Sequence, residues 1–118
     1  SSNTPYFVGV NMEEYKSIKD GIYEYLSIIP HIKEINNINL VENFRFHLKY
    51  KYNRFFTEET ISRKWREIRF LSGKVKFDND DRLWIQIKNP IDIKQKTLCY
   101  ITKIKNDKRY DRWEFKYE

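Results

Sequence analysis

Apolar residues recur along the chain in changing rhythms, and the changes mark its elements. Tyr15, Ile18, Ile22, Tyr25, Leu26 and Ile29 fall three and four positions apart, the spacing that stacks side chains on one face of a helix. This predicts an amphipathic helix over 12–29, opened by the amide cap of Asn11 with Glu13 and Glu14 in its first turn and stopped by Pro30. Gly21 inside it costs about 1 kcal/mol relative to Ala, which points to close packing there. Ahead of it, residues 6–10 form a short apolar run that reads as a strand or core anchor, and residues 1–5 read as a flexible leader. Residues 31–39 are polar and Asn-rich, with Ile32, Ile35 and Ile38 three apart, which suits a short helix or an ordered loop.

The next stretch carries two periods at once. Residues 44–52 alternate apolar and basic side chains, the rhythm of a strand. Leu40, Val41, Phe44 and Leu48, with Phe55 beyond, also fit one helical face. The segment after residue 56 turns the reading toward a helix over 40–52. Thr57 is a hydroxyl cap with Glu58 and Glu59 in the first turn after it, and Ile61, Trp65 and Ile68 form an i, i+4, i+7 stripe. A helix is expected over 58–70, ended by Ser72-Gly73. Ser62, Arg63, Arg66 and Arg69 lie off its apolar stripe, with Lys64 flanking.

Past Gly73 the period becomes two. Val75 and Phe77 alternate with Lys74 and Lys76, the cluster 78–81 is turn chemistry, and Leu83, Ile85 and Ile87 alternate with Trp84, Gln86 and Lys88. This predicts a hairpin of 74–78 against 83–88, broken by Asn89-Pro90, then a second hairpin of 98–104 against 112–117 around Asn106-Asp107. Trp65 reads as core. Trp84, opposite in phase to Leu83, Ile85 and Ile87, is the better candidate for an exposed contact. Trp113, with Phe115 and Tyr117, reads as a sheet-face residue. No apolar run is long enough to span a membrane, and the 118 residues suit a single domain, 1–118.

Charge sharpens this picture more than composition does. The chain has no Ala but 15 Ile, 15 Lys and 9 Tyr, so its core must be built from Ile, Phe, Tyr and Trp. The net charge of +6 is not evenly spread: residues 1–42 carry −3, residues 43–76 carry +7 and residues 77–118 carry +2. A local basic block sets up a field that a mixed surface does not. The single cysteine, Cys99, excludes an internal disulfide and a multi-cysteine zinc site. It reads as a buried strand residue in a reducing, intracellular setting, the cytoplasm or a host nucleus. His31 and His47 lack metal-ligand spacing, and three glycines cannot form a phosphate-binding loop, so no cofactor, metal or catalytic activity is expected. Asp80 or Asp81 ahead of Gln86-x-Lys88 faintly resembles the acid-plus-hairpin arrangement of metal-dependent nucleases. A basic wing accounts for the same residues without catalysis.

The order of helix, helix, basic helix and two-stranded ribbon, with 59–69 running through Ser72-Gly73-Lys74-Val75, resembles the winged helix-turn-helix domains of phages, plasmids and archaeal viruses. The resemblance implies a small α+β winged-helix-like domain of three helices, a wing hairpin and an extra C-terminal antiparallel hairpin. It implies a double-stranded DNA binder acting as a viral or mobile-element transcription regulator. Thr60, Ser62, Arg63 and Lys64 would meet base edges and nearby phosphates, and Arg66 and Arg69 phosphates. Lys74, Lys76 and Arg82 would lie on the wing, and Arg45, Lys49, Lys51 and Arg54 would clamp flanking phosphates. The chain departs from the family pattern in the bulky turn at 53–56 and in the extra hairpin, which would extend the sheet or offer a surface to a second copy or protein partner. The alternative is a protein-interaction module, such as a viral inhibitor, using a basic aromatic patch on an acidic partner. A more economical account of the basic helix is a solvated face laced by Glu58, Glu59 and Glu67.

Overall fold

The first helix begins where Ser17, in extended backbone, accepts a hydrogen bond from the Asp20 amide at 3.1 Å. It runs over Ile18–Ile28 (α1) in the computed structural model, which describes residues 15–29, 34–71, 74–88, 98–103 and 112–117. Residues 15–17 are not helical, so α1 starts later than its spacing predicts, because the Ser17 hydroxyl is the cap that is used. Asn11, Glu13, Glu14, Pro30, the run at 6–10, Ser72-Gly73, Asn89-Pro90 and the turn at Asn106-Asp107 lie outside the described residues.

Residues 44–52 are helical. Asn36 accepts from the Asn39 amide at 2.8 Å and caps α2, Asn37–Tyr52, three residues before the expected start. The part of 31–39 that is described is neither a separate helix nor a simple loop. Ile35–Asn36 forms a two-residue strand (β1), and Asn37 already belongs to α2. The strand-like alternation resolves into two helical stripes. Leu40, Phe44, Leu48 and Tyr52 are buried, whereas Phe46 and Tyr50, two positions out of phase, face solvent. Phe55 lies beyond the helix and is exposed, not part of the core face.

Asn53 ends α2 in the left-handed region, at φ 55°. Its amide reaches the Lys49 carbonyl at 3.0 Å, so an asparagine does at this turn what a glycine usually does. Thr57 then accepts from the Thr60 amide at 3.2 Å and opens α3, Glu58–Leu71. Ile61, Trp65 and Ile68 are fully buried, as their spacing predicts.

Lys74–Phe77 (β2), Leu83–Lys88 (β3), Leu98–Lys103 (β4) and Arg112–Tyr117 (β5) form an antiparallel meander, and β1 pairs with β5, giving the order β1-β5-β4-β3-β2. The fold is α+β, with three helices and two hairpins among the described residues, and the second hairpin extends the sheet. Register aligns Ile85 with Ile101 and Phe115, and Ile87 with Cys99, on the face that packs against the helices. Cys99 is buried, its Sγ 3.7 Å from the Leu26 carbonyl. Trp113 is core as well, its Nε1 donating to Asn37 Oδ1 at 3.0 Å.

Trp84 corrects the expectation of an exposed contact. It does sit on the opposite face, in register with Thr102, but only 4% of it is exposed. Its Nε1 donates to Asp78 Oδ2 at 2.7 Å, and Lys116 Nζ and the Arg82 guanidinium lie 4.6 and 5.9 Å from its ring centre. Neighbours with long cationic stems cover a ring that alternation alone assigns to solvent.

Gly21 marks where α1 and α2 touch. It is buried, and a Cβ added there would run into Leu48 Cδ2. Helix propensity favours Ala by about 1 kcal/mol, but forcing a methyl into a filled core costs about 1–3 kcal/mol. Gly21→Ala is therefore expected to lower the free energy of unfolding in urea by about 1 kcal/mol; an increase would mean that Leu48 has room to move.

Candidate nucleic-acid interface

The apolar stripe of α3 fixes which of its side chains reach water. With Ile61, Trp65 and Ile68 inward, Ser62, Arg63 and Arg66 fall on one outer flank, and Thr60, Lys64 and Glu67 on the other. Arg63 and Arg66, one turn apart, are both exposed and make neither an ion pair nor a hydrogen bond among the described residues. With Ser62 they line an open groove of about 530 Å³, whose other walls are Asn37, Ile38 and Val41 of α2 and the carboxylates of Glu58 and Glu59. Those acids sit in the first turn of α3, where the helix dipole favours them. Ile38, a groove wall with no polar signal in the sequence, leaves 68% of its surface in water.

The opposite flank is committed to packing. Glu67 meets Lys19 of α1 at 2.8 Å and Lys64 at 3.8 Å, and these cations hold its carboxyl below the usual carboxylate range. Thr60 shares a hydroxyl hydrogen bond with Thr57 at 2.9 Å. The structure thus separates Thr60 and Lys64 from Ser62, Arg63 and Arg66. Of the three acids expected to lace the helix, Glu67 makes ion pairs, and Glu58 and Glu59 make none among the described residues.

Arg69 departs most from its expected place. It is half-buried, its guanidinium 5.2 Å from the Trp65 ring centre and 4.8 Å from that of Trp113. Burial, with a smaller push from Arg66, lowers its pKa to about 10, so it remains charged at neutral pH. It clamps α3 to β5.

The α2 cations, with Arg54 beyond the helix and Arg82 before β3, lie beside carboxylates or rings of the fold. Arg45 pairs with Glu42 and lies 5.7 Å from the Phe46 ring, with its Nε buried and without a hydrogen bond among the described residues. Lys51 Nζ donates to Glu24 Oε2 at 2.9 Å. Arg54 lies over Tyr15 at 4.7 Å, and Lys49 is 5.4 Å from the Tyr50 ring and 5.8 Å from that of Phe55. Arg82 pairs with Glu114 across the sheet. Lys74 and Lys76 stand on β2, in register with Gln86 and Trp84.

Glu24 gathers three donors from α2. Besides Lys51, its carboxylate accepts from the Tyr52 hydroxyl at 2.8 and 2.9 Å, and His47 Nε2 lies 2.7 Å from Oε1. Burial pushes its pKa up, but the bonds from Lys51, Tyr52 and His47 together outweigh burial and leave it lowered.

Among the described residues, no group of three or more His, Cys, Asp or Glu side chains is placed to hold a metal ion, and no helix is long and apolar enough to cross a membrane. Asp78, next to the acids of the nuclease-like motif, builds the turn. Its Oδ1 accepts from the Asp80 and Arg82 amides at 2.9 and 3.0 Å. The C-terminal hairpin gives one face to the core and its outer edge to β1, and on its other face Thr102 is buried beside Trp84. No family model matches the chain, and neither a curated protein nor a solved structure matches it.

The charged residues contribute unequally to stability. Arg69→Ala is expected to cost about 1–3 kcal/mol in chemical denaturation, from two lost cation–π contacts and the packing of the stem. Arg63→Ala should change stability by less than about 0.5 kcal/mol. Glu24→Gln should cost about 1–2 kcal/mol at neutral pH by removing the charge from three hydrogen bonds. Because the folded pKa lies below the ordinary 4.5, this contribution is present above that pH and lost as pH falls through the folded value. Denaturation curves of wild type and variant should therefore converge under acid.

Proposed function

We propose that this chain binds double-stranded DNA, as a winged-helix regulator of a virus or mobile element, with α3 as the reading helix. One observation carries the reading: Arg63 and Arg66 stand side by side on the outer flank of α3, exposed and without an ion pair among the described residues. Arginines without an ion pair on a capped helix are poised for phosphates or for the O6 and N7 atoms of guanine, although the carboxylates of Glu58, Glu59 and Glu67 lie near them. The helical state of 44–52 supports the same reading, since it supplies the helix that precedes the turn at 53–57. So does the β2–β3 hairpin, which follows α3 as a wing would.

The site that this geometry favours is narrower than the charge block. It is Ser62, Arg63 and Arg66, with Lys74 and Lys76 of the wing beside them in the chain. Arg69, Lys51 and Arg82 act within the fold. A second reading, a surface for a protein partner, is favoured by the apolar side chains near the same helix: Ile38, Phe70 and Leu71 are 68%, 78% and 71% exposed.

A gel-shift titration with unrelated duplexes at about 50 and 200 mM salt separates the two. DNA binding should weaken steeply between them, because each neutralised phosphate adds about −0.9 to the slope of log affinity against log salt. Arg63→Ala/Arg66→Ala should abolish most of the binding and flatten that slope by nearly ~2, with an unchanged melting curve. Unchanged affinity in this variant would rule out α3 as the reading helix.

A further inference from the structure

We propose that the solvent face of α2 is a second binding site, which takes an unpaired base of a single-stranded nucleic acid. It does not rest on the α3 reading. The α3 groove is walled by Asn37, Ile38 and Val41, whereas this site is a cleft of about 420 Å³ lined by Tyr25, Asn43, Phe46, His47, Tyr50 and Lys51. That volume lies within the range of about 300–1,000 Å³ typical of small-ligand sites.

Its lining is mainly aromatic, with Asn43, His47 and Lys51 set among the rings. Phe46 and Tyr50 are one turn apart with ring centres 5.8 Å from each other, and Tyr50 is 74% exposed. Phe55 continues the aromatic surface past the helix end, 67% exposed. Folding leaves these rings in water although the same helix buries Phe44, Leu48 and Tyr52. Between them stand cations: Lys49 Nζ lies near both Tyr50 and Phe55, and Arg45 over Phe46. Glu42 neutralises Arg45 and Glu24 neutralises Lys51, while Lys49 and Arg54 have no ion pair among the described residues. The surface therefore carries net positive charge interleaved with exposed rings. Phosphates match the cations and base faces match the rings, and base–aromatic stacking is sequence-tolerant. The Asn43 amide supplies a polar group for a base edge, while His47 Nε2 is already held by Glu24. A duplex keeps its base faces stacked inside, so the occupant that uses both features is an unpaired strand.

The test is a titration of a short labelled single strand of mixed sequence, beside a duplex of the same length, at about 50 mM salt. Phe46→Ala/Tyr50→Ala removes rings that hold no core and should weaken single-strand binding about 5- to 150-fold, the range expected for losing one stacked base, with duplex affinity unchanged within ~2-fold. Lys49→Gln, the milder variant, should flatten the single-strand salt slope by about 0.7. Arg63→Ala/Arg66→Ala should leave single-strand binding in place, which keeps this site distinguishable from α3. AMP as competitor tells a strand from a free nucleotide: displacement only at millimolar AMP supports the strand. Four results would overturn the proposal: no single-strand binding by the wild type, unchanged affinity in the ring variant, equal loss on duplex and single strand, or AMP binding as tightly as the strand.

Discussion

The arrangement of the helices on the sheet depends on a line of aromatic rings meeting edge to face. Tyr25 of α1 packs on Phe44 of α2 at 5.6 Å, Phe44 on Trp65 of α3 at 5.2 Å, and Trp65 on Trp113 of β5 at 5.9 Å. Each layer of the domain contributes to this line, and Arg69 seals the last two rings from outside. Rings at these distances and tilts attract beyond their buried area, and they resist rotation. A chain without alanine has few small residues with which to adjust such a core, so close fit has to come from elsewhere. Gly21 against Leu48 is one place where it does. Trp65 carries a cost: its indole N–H is buried with no partner among the described residues.

This core explains why part of the charge block is structural. Of the cations between residues 43 and 76, Arg45, Lys51 and Lys64 are held by Glu42, Glu24 and Glu67, and Arg69 by two indoles. A count of charge along the chain cannot tell these from Arg63 and Arg66, because pairing is decided by geometry and some of the acids come from other elements. Glu24 belongs to the acidic first third of the sequence and is committed to α2, not to solvent. The surface field that a partner meets is smaller and more localised than +7 on 34 residues implies.

Much of the fold was legible in the spacing of apolar residues. Ile61, Trp65 and Ile68, the two hairpins and the buried Cys99 follow from periodicity because each element has one dominant face. The sequence misleads where an element has two. Residues 44–52 alternate like a strand because a buried stripe and an exposed aromatic stripe, each spaced by four, are offset by two. Trp84 misleads for a related reason: alternation places it on the far face, but carries no information that Asp78, Arg82 and Lys116 converge over that ring. The start of α1 is not legible because Asn11 and Ser17 offer equivalent caps, and nothing local ranks them. The groove wall at Ile38 depends on how α2 crosses α3, which no local pattern encodes.

The pairing of Ile35 with Trp113 and of Asn36 with Arg112 sets an order on assembly. These two rungs, with the Trp113–Asn37 hydrogen bond across 76 positions of sequence, tie the start of α2 to the last strand. Loops that long are entropically slow to close, and contacts of this separation lower folding rates relative to local helical ones. The helices contact near neighbours in sequence, whereas the indole support of α3 and half of the Arg69 clamp come from Trp113 of β5. The contacts that Trp113 makes with Trp65 and Arg69 therefore require the chain through residue 113.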